Sequence, residues 1–168
     1  MKYTFAYGAA AGIAMGIIDG VIYNYLYDTK IAAYGILINL IVMVAIMLLA
    51  IKHISKAKHD SQINYFQATL AGIMVATHAG VFLGLFTYIY FSFGNQEFIQ
   101  HTLEMGAEVL AEQDLTEEEA EEKLSELKRS FTPLRQALSS FQGTFIIGTF
   151  LALIIGFFTK KKNAASST

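Results

Sequence analysis

Five polar side chains stand inside long apolar stretches of the sequence, and two of them, Asp19 and His78, can exchange a proton. Counted at about 1.5 Å per helical residue from the start of each stretch, all five fall at similar depths. A carboxylate beside an imidazole inside a membrane is suited to relaying protons or cations. We therefore expect Asp19 to pair with His78, bridged by Asn39. This predicted polar layer consists of Asp19, Asn39, His78, Thr144 and Thr149.

The same groups also fit two other interpretations. Polar side chains in membrane helices hydrogen-bond to neighbouring helices, which contributes on average about 0.6 kcal/mol each. The layer holds one ionisable pair rather than a chain of them, which favours this structural role over a relay. A third alternative has Asp19 reaching the membrane interface through the tyrosine-rich end of its stretch.

Four glycines recur at every fourth residue of the first apolar stretch and so share one face of a helix. Lipid exerts no hydrophobic force between helices, and membrane helices associate where small residues let their backbones approach. We predict that this glycine face packs against another helix of the same chain, with a homodimer contact as the alternative. The glycine face comprises Gly8, Gly12, Gly16 and Gly20.

The composition places these residues in a membrane. Of the 168 residues, 54% are hydrophobic, and the mean hydropathy is +0.45. Soluble proteins usually contain about 45–50% apolar residues. A helix of about 20 apolar residues crosses a bilayer. We predict four spans, at about 5–25, 31–51, 66–91 and 138–158, with the first retained rather than removed as a signal peptide.

Charge is distributed unequally between the two sides of these spans. The turn around Asp28 and Lys30 and the predominantly acidic segment 92–135 lie on one side. By the positive-inside rule, the other side is cytoplasmic and holds both termini. The basic residues on that side are Lys2, Lys52, Lys56, Lys58, Lys160, Lys161 and Lys162.

The acidic segment has the pattern of a helical hairpin at about 95–133. Its first helix is amphipathic from Gln96, and its second begins with a capping box formed by Thr116 and Glu119. We expect Pro133 to end the second helix. The apolar stripes of the two helices face each other or the membrane surface, with a docking surface for another protein as the alternative.

The residues give little support for chemistry outside the membrane. Four side chains recur on one face of the first outer helix in a spacing compatible with a divalent cation, but such a face is more typical of a solvated acidic stripe. Common hydrolase, zinc-protease and phosphate-loop motifs are missing from the sequence, and the net charge of -2 gives no reason to expect nucleic acid. We predict no enzyme, no cofactor and no metal. The acidic face comprises Glu97, His101, Glu104 and Glu108.

Five segments carry a resemblance to a known family. They read YFQATLAGIMVA, YIYFSFGNQEF, LTEEEAEEKL, SFTP and GTFLALIIGFFTKKK. Together they resemble domain-of-unknown-function family 4199, which is typical of Bacteroidetes-type bacteria. The resemblance implies a four-span protein of the bacterial inner membrane, without assigned activity and without catalytic residues to carry over.

We therefore predict an all-α, four-helix transmembrane bundle with a periplasmic-side helical hairpin. One membrane domain covers 1–160, and a polar tail covers 161–168. The predicted function is non-enzymatic and acts through contacts with lipid, with a protein partner at the hairpin, or with a second copy. The alternative is a small proton- or cation-coupled carrier that uses Asp19 and His78.

Overall fold

The computed structural model describes residues 2–26, 34–58, 62–113 and 115–159. Every regular element in these ranges is a helix, as predicted. One π-helical turn continues the first helix over Ile22–Leu26, and another continues the third over Tyr90–Gly94. In chain order the helices are α1 (Lys2–Val21), α2 (Gly35–Lys58), α3 (Tyr65–Ile89), α4 (Gln96–Ala111), α5 (Glu117–Ser130) and α6 (Pro133–Thr159).

Four helices are long and apolar enough to cross a membrane, in agreement with the number predicted. The chain is therefore, by the length and composition of its helices, a membrane protein. The predicted turn around Asp28 and Lys30, the lysines at 160–162 and the tail 161–168 lie outside the described residues. The four segments are Lys2–Leu26, Gly35–Ala57, Tyr65–Gly94 and Pro133–Thr159.

Helix α2 continues to Lys58, past Ile51, where the predicted membrane span ends. One predicted boundary is wrong: Pro133 begins α6 instead of ending α5. Proline suits the first helical position, where its missing N–H is not needed. The Thr132 carbonyl accepts the first bond of α6, from Gln136 N at 3.0 Å.

Helices α1 and α3 run parallel and contact each other through the glycine face. A Cβ placed on Gly8 would lie 2.8 Å from the carbonyl oxygen of Val75, and one on Gly12 would lie 2.5 Å from that of Ala79. Further along, Gly16 lies against the ring of Phe86. These glycines therefore make room for the backbone and side chains of α3.

A second face of α3 packs antiparallel against α6, again through small residues. Gly148 of α6 lies against Ala76 of α3. A Cβ on Gly72 would lie 2.7 Å from that of Ala152, and a Cβ on Gly84 would lie 2.9 Å from the Ala137 carbonyl oxygen. Helix α3 is thus the central helix, held on both sides by close backbone approach.

Helix α2 joins this arrangement through long flexible side chains. Met43 and Met47 are buried, and Met47 lies completely out of contact with solvent. The Met47 sulfur is 3.1 Å from the position of a Cβ on Gly72. Methionine fills irregular spaces between helices, so α2 is held further from α3 and α6 than those two are from each other.

Helices α4 and α5 pack together beyond one end of the membrane helices, which we call the hairpin end. The Leu127 side chain fills the space left by Gly106. Asn95 caps α4 by accepting from Phe98 N at 3.0 Å. The predicted capping box of α5 is confirmed: the Thr116 N–H donates to the Glu119 carboxylate at 3.0 Å, which lowers the pKa of that side chain. The opposite end of the membrane helices carries Lys52 and is called the lysine end.

The contact between α1 and α3 predicts the effect of a single added methyl group. Gly12→Ala forces a Cβ against the Ala79 carbonyl, and we expect it to lower the free energy of unfolding by about 1–3 kcal/mol. Unfolding by SDS in mixed micelles measures this difference. Gly143→Ala is the matched control, because no described atom lies within 4 Å of its Cβ position. Equal losses of stability in both variants would contradict the tight α1–α3 contact.

Candidate functional site

A hydrogen bond joins two polar residues of adjacent membrane-spanning helices. Asn39 of α2 donates from Nδ2 to Oδ1 of Asp19 on α1 over 2.7 Å. Both side chains are half-buried. Hydrogen bonds to an ionised carboxylate are shorter and stronger than those between neutral groups. The amide therefore orients the carboxylate and ties the two helices together near the hairpin end.

These two residues line a cleft of about 430 Å³ between α2 and α6. Residues of α1 and α3 also contribute to its wall, among them Met15 and Leu83. Tyr23 lines the cleft as well. The other polar residues in its lining are Asp19, Asn39, Gln136, Ser139, Ser140 and Thr144.

Exposed isoleucines of two helices line the cleft. Ile36 of α2 and Ile147 of α6 are 78% and 47% exposed. Exposed isoleucines on membrane-spanning helices face hydrocarbon rather than water. The polar lining residues are half-buried, apart from the exposed Ser139, and the buried side chains of the lining, among them Met15 and Met43, are apolar.

One acceptor in the cleft lacks a donor. The Asn39 side-chain oxygen is buried and has no hydrogen-bond partner among the described residues. Its amide nitrogen is already engaged by Asp19, so the oxygen points away from the carboxylate. A buried carbonyl without a donor costs about 1–3 kcal/mol.

The predicted pairing of Asp19 with His78 is wrong. His78 donates from Nδ1 to the Met74 carbonyl of its own helix, and its ring packs edge-on against Phe5, with 5.5 Å between ring centroids. Its Cβ lies against Gly8. Asp19 is three helical turns further along α1, so the two side chains are separated by about 16 Å along the axis. His78 has a local structural role.

The two predicted threonines have different places. Thr144 lines the cleft with Asp19 and Asn39. Thr149 lies one turn further towards the lysine end, and its buried hydroxyl has no partner among the described residues. The structure therefore unites Asp19, Asn39 and Thr144, and separates them from His78 and Thr149.

Three cleft residues were not predicted from the sequence. Gln136, Ser139 and Ser140 precede or open the predicted fourth span, and all three line the cleft. Together with Gly143 and Thr144 they recur at three- and four-residue intervals, which places them on one face of α6. This spacing of polar residues at the start of an apolar helix was the available signal.

An aromatic cluster connects the cleft to the outer helices. The ring of Tyr23 lies 5.0 Å from that of Phe98 on α4 and 5.5 Å from that of Phe91, measured between centroids. Asn95, which caps α4, donates to the Tyr90 hydroxyl at 2.8 Å. Tyr23, a residue of the cleft lining, thus joins the cleft to the first residues of α4.

At the lysine end, His53 is exposed and has aromatic neighbours. It shares a 3.0 Å hydrogen bond with the Tyr7 hydroxyl, and its ring lies 4.5 Å from that of Tyr3. On α4, Gln100 donates to Glu104 within the predicted acidic face. Within the described ranges, no three His, Cys, Asp or Glu side chains are placed to hold a metal.

A double-mutant cycle distinguishes the observed pair from the predicted one. We expect Asp19→Ala and Asn39→Ala to be coupled by roughly 0.6–1.7 kcal/mol in the free energy of unfolding, the range measured for hydrogen bonds between membrane helices. Asp19→Ala and His78→Ala should be additive, because these side chains are far apart. SDS unfolding of the single and double variants gives both values. Coupling of Asp19 to His78 but not to Asn39 would refute the geometry.

Comparisons with known proteins place the chain in one family. No curated protein and no solved structure matches it. A family model matches residues 6–161, which is most of the chain and includes every residue of the cleft. The chain therefore belongs to the family described as Protein of unknown function (DUF4199).

Proposed function

We propose that this chain is a non-enzymatic protein of the bacterial inner membrane, with its hairpin end in the periplasm. Lys52 and Lys56 at the lysine end, set against the acidic helices α4 and α5, support this orientation. Both termini are then cytoplasmic. The hairpin stands at the outer surface, where helices with strong capping and many charges are stable in water.

The working site in this proposal is the cleft, and its ligand is an amphiphile drawn from the bilayer. The observation that carries the proposal is that exposed apolar side chains and half-buried polar groups line the same cleft. Ile36 and Ile147 are exposed, whereas Asp19 and Asn39 are half-buried. A lipid enters such a site sideways, with its headgroup among the polar groups and its chains against the isoleucines.

The other two kinds of contact have less support. The glycine face is occupied by α3, so self-association would need a different surface. The hairpin leaves Met105 and Val109 about half exposed, and neither α4 nor α5 contains a buried residue in its described range. A protein partner at the hairpin therefore stays compatible with lipid binding in the cleft.

Filling the cleft tests the proposal. Gly143→Leu adds a side chain where no described atom lies within 4 Å, so it should occupy the cleft without disturbing the helix contacts. We expect the purified variant to retain less than about one third of the lipid bound by the wild type, measured by native mass spectrometry. Ala45→Leu, which adds the same group at an exposed position of α2, is the control. Unchanged lipid in Gly143→Leu would argue against the cleft as the site.

A second candidate function is a proton- or cation-coupled carrier. The observation in its favour is a carboxylate within a membrane-spanning helix, at the edge of a polar cleft. Such groups mark ion paths in many membrane proteins. Since His78 is remote from Asp19, this carrier would depend on Asp19 and the hydroxyls of α6 instead of the predicted pair.

Flux in liposomes tests the carrier. If the chain carries protons or cations, Asp19→Asn should abolish the flux, because the amide cannot exchange the charge, while circular dichroism shows an intact helical fold. His78→Gln is the matched control and should transport like the wild type. Flux that depends on His78 but not on Asp19, or no flux in the wild type across protons, Na⁺ and K⁺, would exclude this mechanism.

A further inference from the structure

We infer that the cleft selects its amphiphile by a primary ammonium group, which is held by the Asp19 carboxylate together with hydroxyl groups of α6. This inference rests on the proposed function, since it names the headgroup that the cleft accepts. It identifies the ligand of the cleft as a lipid with a primary amine in its headgroup.

The wall of the cleft carries a negative charge. Asp19 is the one charged residue among those that line the cleft within the described part of the chain. An anionic headgroup without a cation would be repelled at this position, and a neutral one would leave the carboxylate without an opposite charge. Charge complementarity therefore favours a cationic group on the ligand.

The direction of the hydrogen bonds between the cleft and its ligand also favours an ammonium group. Asn39 uses its N–H to orient the carboxylate, which leaves its oxygen buried and unpartnered. The acceptors that a ligand can meet in the cleft are the Asp19 carboxylate and the hydroxyl oxygens of α6. An ammonium group –NH₃⁺ carries three donors, enough to serve the carboxylate and two such hydroxyls, among them that of Ser139. A trimethylated amine carries the same charge and no donor.

Asp19 lies at a depth in the membrane that a lipid headgroup can reach. Asp19 lies seven residues before Leu26, the last residue of its membrane-spanning segment, which is about 10 Å along the helix. This position is close to the boundary between headgroups and hydrocarbon at the hairpin end. A lipid headgroup can reach this depth beside the exposed isoleucines of the cleft while its acyl chains stay in the bilayer.

A series of lipids that differ only in N-methylation tests the inference on the wild-type protein. In nanodiscs with equal amounts of phosphatidylethanolamine, its monomethyl and dimethyl forms, and phosphatidylcholine, native mass spectrometry measures which lipid is retained. We expect retention to fall with each methyl group, with at least a fivefold preference for phosphatidylethanolamine over phosphatidylcholine. Phosphatidylglycerol, which has no amine, should be retained no better than phosphatidylcholine.

Variants then assign the preference to the site. Asp19→Asn should bring the ratio of phosphatidylethanolamine to phosphatidylcholine to about one while total bound lipid persists, and His78→Gln should keep the wild-type ratio. Equal retention across the methylation series would overturn the ammonium inference but leave lipid binding in the cleft intact. A preference that survives in Asp19→Asn would also overturn it. Bound lipid that is insensitive to Gly143→Leu would overturn the proposed function itself.

Discussion

The close approach of α3 to its neighbours on both sides is the contact on which the rest of the structure depends. In a bilayer, burying one apolar surface against another gains little over burying it in lipid, so stability comes from dispersion contacts at short range and from hydrogen bonds. Small residues make those short distances available along the whole length of α3. Gly8 and Gly12 receive it on one side, and Gly148 receives it on the other.

The cleft is a consequence of this arrangement. Helix α3 makes narrow contacts with α1 and with α6, whereas α2 meets them with methionines such as Met43, which keep it at a greater distance. At the hairpin end the gap between α2 and α6 is not filled by side chains. The hydrogen bond from Asn39 to Asp19 connects α2 to α1 at that level and forms one boundary of the gap.

The sequence carried most of the information about individual helices and little about their relative positions. Hydropathy identified four membrane-compatible helices because each helix must by itself be long and apolar enough to cross a bilayer. Thr116 and Glu119 identified the start of α5 because a capping box depends only on residues that are neighbours in the sequence. The prediction that His78 lies level with Asp19 was wrong because it assumed that all spans begin at one depth. Gly8 meets His78, which means that α3 begins about 10 Å nearer the lysine end than α1 does.

The order of the helices along the chain has a consequence for how the protein is made. The glycine face belongs to α1, and its partner α3 follows it in the chain only after α2. Until then the groove at Gly8 and Gly12 faces lipid, and a nascent chain that stops after α2 exposes it permanently. Completion of α3 is therefore the step in biogenesis at which α1 acquires its closest neighbour, and α6, which is synthesised after α3, then packs against a second face of α3.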